Sequence, residues 1–571
     1  MACKYDGDLL LATLAGRQLT DLAVMPAVAT GTVWATTQAI VEDQPVTLQV
    51  GLTRDFPSAL PLVRLAPWDV LGMLPHVSTG NGIVCYQDSE GLLLNKEMPA
   101  ELVWWAVEQA LAELTKGVRG ENKADFTEEF EASWAQLTRK GTLRNVVDPP
   151  THPNELGVIW RSGTEAYLTD SDQQVASFLQ FKNIGTYTRQ RATFLPLPVG
   201  SYIQPPRPDR PFWSAADLRQ WAAPAIEALS EKEHRALLES SKSQNGVVVL
   251  ALARPSQGVA LLAVRYQSPT GQHPLLPGVE AKLWPLHVAR WEPSYLVPRG
   301  GGQVSLREKH VLLVGCGAVG GHLAHDLVRS GVLRLTLVDA DTHSVENTFR
   351  HVLGIAHKTA PKAEALRDEL RAKYPYLMVE AVASNIEPAC RTGKVKLAAF
   401  DLVVAATGNP TAELWLNEHL HSLPAAPPAL FTWLEAYGIG GHALLTQPGQ
   451  PGCLQCLYTD PEQPQLVNRA AFAASGQLFS MSLAGCSARH TPYGSLDATR
   501  TAEVAARLAL QVLTDREKKA PLISWKGDAE DFVAAGFVLA DRFGVSEEKL
   551  NRNRYGYVAP TCPICGSTAA S

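Results

Sequence analysis

His310-Val311-Leu312-Leu313-Val314-Gly315-Cys316-Gly317-Ala318-Val319-Gly320 decides the fold of this chain. His310 to Val314 reads as a short apolar strand. Gly315-x-Gly317-x-x-Gly320 follows it and opens a helix that runs through Arg329. Strand, glycine turn and helix in that order are what a nucleotide fingerprint needs. Gly315 allows the tight turn, and Gly317 lets backbone amides approach phosphates. Gly320 permits close packing of helix on strand, and the helix N-terminus favours negative charge. The next strand, Leu333 to Val338, ends on Asp339, 19 residues after Gly320, where an acid can bind ribose hydroxyls. Alone, the motif fits NAD, FAD or ATP, and a tight turn without ligand is the plain alternative.

Working outward, Lys362 to Lys373 reads as a helix, and Val379 to Ala383 and Leu402 to Ala406 as strands. That alternation predicts a mostly parallel sheet covered by helices, an α/β fold. Upstream, residues 1 to about 150 read as a small α+β unit. Val33 to Leu52 carries paired strands, Leu62 to Leu65 another, and Pro99 to Leu114 a helix with Pro99 in its first turn. Residues 151–295 form a middle α/β domain, with strands at Gly157 to Arg161, Val247 to Ala253 and Val259 to Tyr266. One helix there, Ser214 to Ala223, is expected to stop at Pro224. Residues 296–571 hold the nucleotide fold.

The bulk composition narrows the function. With 571 residues, 46% hydrophobic and 19% charged, the chain is an ordinary globular protein. A net charge of −6 carries no electrostatic footprint for nucleic acid. No apolar run is long enough for a membrane span, and the N-terminus has no signal-peptide pattern. A soluble cytoplasmic protein is expected, whose thiols stay reduced, so paired cysteines point to metal or catalysis.

Asp339-Ala-Asp341 is followed by Val345-Glu-Asn347-Thr-Phe-Arg350-His351 and then Lys362. Hydride transfer does not need this set. Adenylation does, because cations must neutralise a triphosphate and the charge that develops at its α-phosphate. Arg350 and Lys362 suit that role, and Asn347 can orient phosphate or ribose. Cys453-Leu-Gln-Cys456 and Cys562-Pro-Ile-Cys565 are two C-x-x-C knuckles that suit one tetrahedral Zn²⁺, closed and therefore structural. Cys486 stands in a polar Gly-Cys turn near Arg489 and His490, the setting of a low-pKa nucleophile; a packed thiol is the alternative. Cys3, Cys316 and Cys390 are assigned no role.

Val311 to Ala365 resembles the adenylation domain of the ThiF, MoeB and ubiquitin-activating enzyme family, through G-x-G-x-x-G, D-x-D, N-x-x-R and the later Lys. The resemblance implies a Rossmann-like fold with a zinc clip, and MgATP-driven activation of the C-terminal glycine of a small protein. It also implies a Mg²⁺-binding aspartate at the position where this chain has Gly408, leaving Asn409, Asp341 or another acid for the ion. The string from Phe56-Pro57 through His76-Val77 to Gly82-Ile83-Val84-Cys85 resembles a divergent ubiquitin-conjugating fold, in which Cys85 would be the active thiol. The usual His-Pro-Asn triplet is replaced by His76-Val77-Ser78, and Asn81 is the candidate for its asparagine. A buried structural cysteine is the alternative reading of Cys85.

The order of domains is similar to that of bacterial fusion proteins of type II CBASS anti-phage operons. That resemblance implies an inactive adenylation-like middle region, a homodimer, and a partner that is a CD-NTase-type nucleotidyltransferase with a glycine-ended tail. A stand-alone ubiquitin-like protein is the near alternative. The resulting expectation is a relay from the ATP site to Cys486, then to Cys85, then to a target protein amine. The rivals are a sulfur-carrier activator, an NAD-dependent oxidoreductase and an inactive scaffold.

Overall fold

The structure is a computed structural model and describes residues 7–26, 31–138, 141–161, 165–170, 188–203, 214–240, 244–459, 466–482 and 489–566. The chain divides into two compact units. One comprises Met1–Val175 and Ile184–Glu292, the other Ala176–Asn183 and Pro293–Ser571.

The first unit begins with an antiparallel meander of Thr20–Val24 (β1), Val33–Val41 (β2), Gln44–Leu52 (β3) and Leu62–Leu65 (β4). β2 and β3 are joined by two residues, Glu42 and Asp43, both at positive φ, the turn geometry that matches strand twist. Every second residue along these strands faces one side: Ala39, Val41, Val46, Leu48 and Val50. The helix Pro99–Arg119 covers that side with Val103, Ala106, Val107, Ala110 and Leu114, spaced as one helical face. It runs five residues past Leu114, because Gly117 is packed under Leu74 and Gly120 supplies the left-handed cap at φ +72°.

Seven strands then close a barrel: Thr142–Asn145 (β5), Asn154–Trp160 (β6), Glu165–Thr169 (β7), Thr188–Pro196 (β8), Asn245–Ala253 (β9), Val259–Gln267 (β10) and Lys282–Arg290 (β11), in the order β10-β11-β5-β7-β6-β8-β9. Val247, Val249, Leu261 and Ala263 fill the interior. The alternate residues Val248, Leu250, Leu262 and Val264 pack outside, against Phe130, Trp134 and the helix Ala215–Glu227. The middle region is thus a closed barrel with a helix packed on its outside. Phe130, Trp134 and β5 also belong to this core, although the sequence reading placed them in the first domain. The helix does not stop at Pro224, which lies inside it. A capping box between Ser214 and Asp217 starts it, and burial of Leu218, Ala222 and Ala225 offsets the proline's lost hydrogen bond.

The second unit is built on His310–Val314 (β12), Arg334–Val338 (β13), Met378–Val382 (β14), Leu402–Ala405 (β15), Ala429–Leu434 (β16), Gly440–Thr446 (β17), a short ladder of Met481–Ser482 (β18) with Arg489–His490 (β19), and Leu522–Lys526 (β20). The main sheet runs β14-β13-β12-β15-β16-β17-β20, parallel from β14 to β16 and antiparallel thereafter. Val311 and Leu313 meet the helices Ala318–Arg329, Lys362–Lys373 and Ser495–Leu513 on one face. Leu312 and Val314 meet Leu416 and Leu420 of the helix Pro410–Ser422 on the other. Burial on both faces explains why these strands are continuous apolar runs.

Candidate active sites and metal centre

β12 neighbours both β13 and β15, so the strand order reverses beside it, the place where open parallel sheets hold ligands. Gly315 follows β12 and Ala406 follows β15. A Cβ on Gly315 would lie 2.5 Å from the Ala406 carbonyl oxygen, and one on Gly320 would lie 1.9 Å from the Gly315 oxygen. Gly315 also has φ +94°. No larger residue fits either position. Nothing stands within 4 Å of the Cβ position of Gly317, which leaves that backbone open to a ligand.

Asp339 fastens the loop. Its Oδ2 accepts the Cys316 N–H at 2.6 Å and its Oδ1 the Asp341 N–H at 2.7 Å. Burial pushes this carboxyl up, while both backbone bonds oppose the shift. Lys362 Nζ donates to Asp341 Oδ2 at 2.8 Å, and the Lys362 N–H donates to the Asp341 carbonyl at 2.8 Å. The Lys362 side chain is 13% exposed and that of Asp341 72%, so the cation is held and its partner faces outward. Asn347 Oδ1 accepts the Ser344 N–H and hydroxyl, each at 3.3 Å, and so closes its own turn. The Arg350 guanidinium lies over the Tyr493 ring, 4.9 Å from its centroid. Gly315, Gly317, Gly320, Asp339, Asp341 and Lys362 therefore gather at one end of the sheet. Gly408 lies beyond Ala406 at φ +63°, and Asn409 Oδ1 accepts the Ala412 N–H at 3.3 Å as a helix cap.

The four knuckle cysteines are buried and their sulfurs all lie within 4.8 Å of one another. Cys453 Sγ is 3.6 Å from Cys562 Sγ, and Cys456 Sγ 3.3 Å from Cys565 Sγ. Tetrahedral zinc at about 2.3 Å per sulfur needs separations of roughly 3.8 Å, so the quartet fits that ion with no open position. Gly452 N–H points to Cys565 Sγ at 3.4 Å and Cys453 N–H to Cys456 Sγ at 3.5 Å. Cys486 lies outside the described residues. Of its flanks, Met481 accepts a hydrogen bond from the Tyr437 hydroxyl at its sulfur, at 3.3 Å.

Cys85 is exposed, which removes the reading of a buried structural thiol. It ends a hairpin. Val77 bridges Val84, Ser78 N–H donates to the Ile83 carbonyl at 2.8 Å, and Cys85 N–H donates to the His76 carbonyl at 2.7 Å. Leu65 and Val63 of β4 bond to Gly82 and Val84, which fixes the hairpin on the meander. Asn81 Oδ1 accepts the Ile83 N–H at 3.1 Å, so it closes the hairpin turn.

Residues 295–571 match the ThiF family and residues 29–141 the prokaryotic E2 family B. The chain joins a prokaryotic E2 family B domain to a ThiF family domain. It is similar to the ATP-dependent ubiquitin transferase-like protein Cap2 of Pseudomonas aeruginosa, 26% identical over 477 residues, covering 79% of this chain and 82% of that protein. It is also similar to the sulfur carrier protein adenylyltransferase of Thermus thermophilus, 28% identical over 282 residues, covering 48% of this chain and 90% of that one. Among solved structures, Escherichia coli MccB with MccA-N7isoASN aligns at a TM-score of 0.32 and 20% identity, over 46% of this chain and 68% of that one. No described helix is long and apolar enough to cross a membrane.

Two residues of the ThiF domain's site had no signal in the sequence. His351 Nε2 donates to the Cys316 carbonyl at 2.6 Å while its Nδ1 accepts the Leu353 N–H at 3.1 Å. Burial pushes its pKa down to about 4, which keeps this neutral tautomer under the glycine loop. Glu413 is 4% exposed, and its Oε1 accepts the Thr407 N–H at 3.1 Å and the Thr407 hydroxyl at 2.7 Å. It thereby holds the turn that carries Gly408 against Gly315. Burial pushes its carboxyl up to about 7. An acid whose folded pKa is raised binds its proton more tightly when folded. The domain is therefore most favoured with Glu413 protonated, and it loses stability as pH rises from about 4.5 through about 7. Glu413→Gln should match the wild type near pH 4 and gain on it by up to about 3 kcal/mol above pH 7.5, read as the difference between denaturant melts. A difference that does not change with pH would refute this.

Proposed function

We propose that this chain is an ATP-dependent adenylyltransferase and ubiquitin-transferase-like enzyme that attaches a glycine-ended partner protein to target amines in anti-phage defence. The partner's terminal carboxylate enters the crevice beyond Gly315 to Gly320 and attacks the α-phosphorus of ATP. The bond to the β-phosphate breaks and pyrophosphate leaves. Arg350 and Lys362 carry the developing charge, and Asp341, exposed beside Lys362, is the acid best placed to meet Mg²⁺. The Cys486 thiolate then attacks the acyl carbon and AMP departs. Cys85 takes the acyl group by transthiolation. A target amine attacks the Cys85 thioester, an amide forms, and the thiol is regenerated with the amine's proton. The four knuckle cysteines hold Zn²⁺ as a structural ion.

The observation that carries this reading is the pairing of a ThiF domain with an E2 family B domain on one chain, over a span that aligns with most of Cap2. Activation of a sulfur carrier would occupy the ThiF domain and leave the exposed Cys85 and its domain without work. The partner is a CD-NTase-type nucleotidyltransferase, with a stand-alone ubiquitin-like protein as the alternative. Incubation with MgATP and each candidate, followed by non-reducing gels, tests the relay. The wild type should form reductant-sensitive adducts, Cys486→Ala none, and Cys85→Ala only an adduct at Cys486. An undiminished adduct in Cys486→Ala would remove that residue from the relay.

A further inference from the structure

His76 is enclosed by acids drawn from two later segments, the helix Pro99–Arg119 and the stretch from Asp125 to Glu129. Its Nδ1 is 2.7 Å from Glu129 Oε1, and its Nε2 is 3.0 Å from Asp125 Oδ2 and 3.7 Å from Glu113 Oε1. Its backbone N–H donates to Glu129 Oε2 at 3.2 Å. Glu113 is further held by Lys116 Nζ at 3.1 Å and Asn122 Nδ2 at 2.7 Å. Both ring nitrogens thus face carboxylate oxygens, which only an imidazolium can satisfy. The Glu129 bond raises the His76 pKa to about 9 against its partial burial, helped by the Asp125 bond and by the charges of Glu129 and Glu113. The pairing is complete below about pH 6.5 and is lost as pH rises through about 9.

The same residue carries the active-thiol hairpin. His76 sits at φ +60°, an uncommon conformation for a residue with a side chain, and its carbonyl accepts the Cys85 N–H at 2.7 Å. Cys85 is open to solvent, but the protein around its sulfur desolvates it, and this and then the charge of Glu129 push the thiol up, away from the thiolate that reacts. Lys116 pairs with Glu113, and the His76 ring is the cation that Glu129 and Asp125 hold.

We propose that His76 is a positioning residue for Cys85: held between Glu129, Asp125 and Glu113, it fixes the hairpin that presents the thiol and offsets the negative field that Glu129 places on it. This rests on the reading of Cys85 as the acyl-accepting thiol of the E2 domain. The test does not, because it reads the thiol without any acyl transfer.

Alkylation of Cys85 by iodoacetamide is followed against pH in the full chain, by mass spectrometry of the Cys85 peptide. His76→Asn keeps a side chain that tolerates positive φ and removes the charge. It should move the midpoint of the rate profile up by about 0.5–1 pH unit and slow alkylation at about pH 8 roughly three- to ten-fold. Adding Glu129→Gln to His76→Asn should bring the midpoint back toward the wild type and restore most of the rate, because the uncompensated charge is gone. A hairpin that has merely lost its shape would not recover on losing a second partner. The proposal is overturned if His76→Asn leaves the midpoint in place or if the double variant is no faster than the single one. Either result leaves the thioester relay standing, and a wild-type chain that alkylates as expected but forms no Cys85 adduct with MgATP and partner would count against the relay alone.

Discussion

Lys362→Ala should reduce partner-dependent exchange of pyrophosphate into ATP by about 10²–10³-fold, the usual effect of deleting one preorganised charge at a developing anion. The Lys362 ammonium is half of a closed unit. Its partner Asp341 is tied to Asp339 through a backbone N–H, and Asp339 is tied to the glycine loop through Cys316. The charge is therefore fixed relative to the loop before any ligand arrives, so little reorganisation is needed on reaction. Lys362→Arg should recover only part of the rate, because the wider guanidinium cannot reproduce a single ammonium bond at 2.8 Å to Asp341 Oδ2. Binding of ATP should weaken far less than exchange. A Lys362→Ala enzyme with near wild-type exchange would remove Lys362 from the chemistry.

Cys456→Ser should abolish zinc binding and unfold the ThiF domain. Structural zinc sites contribute on the order of 10 kcal/mol of apparent binding energy, comparable with the whole stability of a domain, about 5–15 kcal/mol. Here the quartet lies in the core, in one cluster with Leu416, Leu420, Phe431 and Leu444 of the sheet's second face. Its loss opens that face as well as the clip. Elemental analysis should find one zinc per wild-type chain and none in the variant. The variant's melting transition should fall steeply or vanish. A folded variant with an unchanged transition would mean that the four thiols pack without an ion.

What was legible in the sequence follows from how local each constraint is. Gly315 and Gly320 announce themselves because the chain they oppose, Ala406 and the loop itself, leaves no room for a Cβ. The C-x-x-C knuckles are readable because two such pairs carry the ligand spacing that a single tetrahedral ion requires, and their four sulfurs do converge. The helix Lys362–Lys373 lies where its pattern puts it. The barrel was not legible, since β5 is only four residues long and pairs in parallel with strands far along the chain, β7 and β11. Pro224 misled because tertiary burial outweighed a local rule. Glu413, His351 and the acids around His76 were missed for one reason: each gains its role from a partner six to 53 residues away, through a bond with no sequence signature.

The central claim is that a protein's C-terminal glycine is activated on the ThiF domain. The most direct test is the wild-type arm of the exchange measurement, with labelled pyrophosphate, MgATP and a candidate partner, intact or lacking its terminal glycine. Label should enter ATP with the intact partner and stay at background with the truncated one. Label that enters ATP equally with both, or with neither across nucleotidyltransferase and ubiquitin-like candidates, would contradict the account.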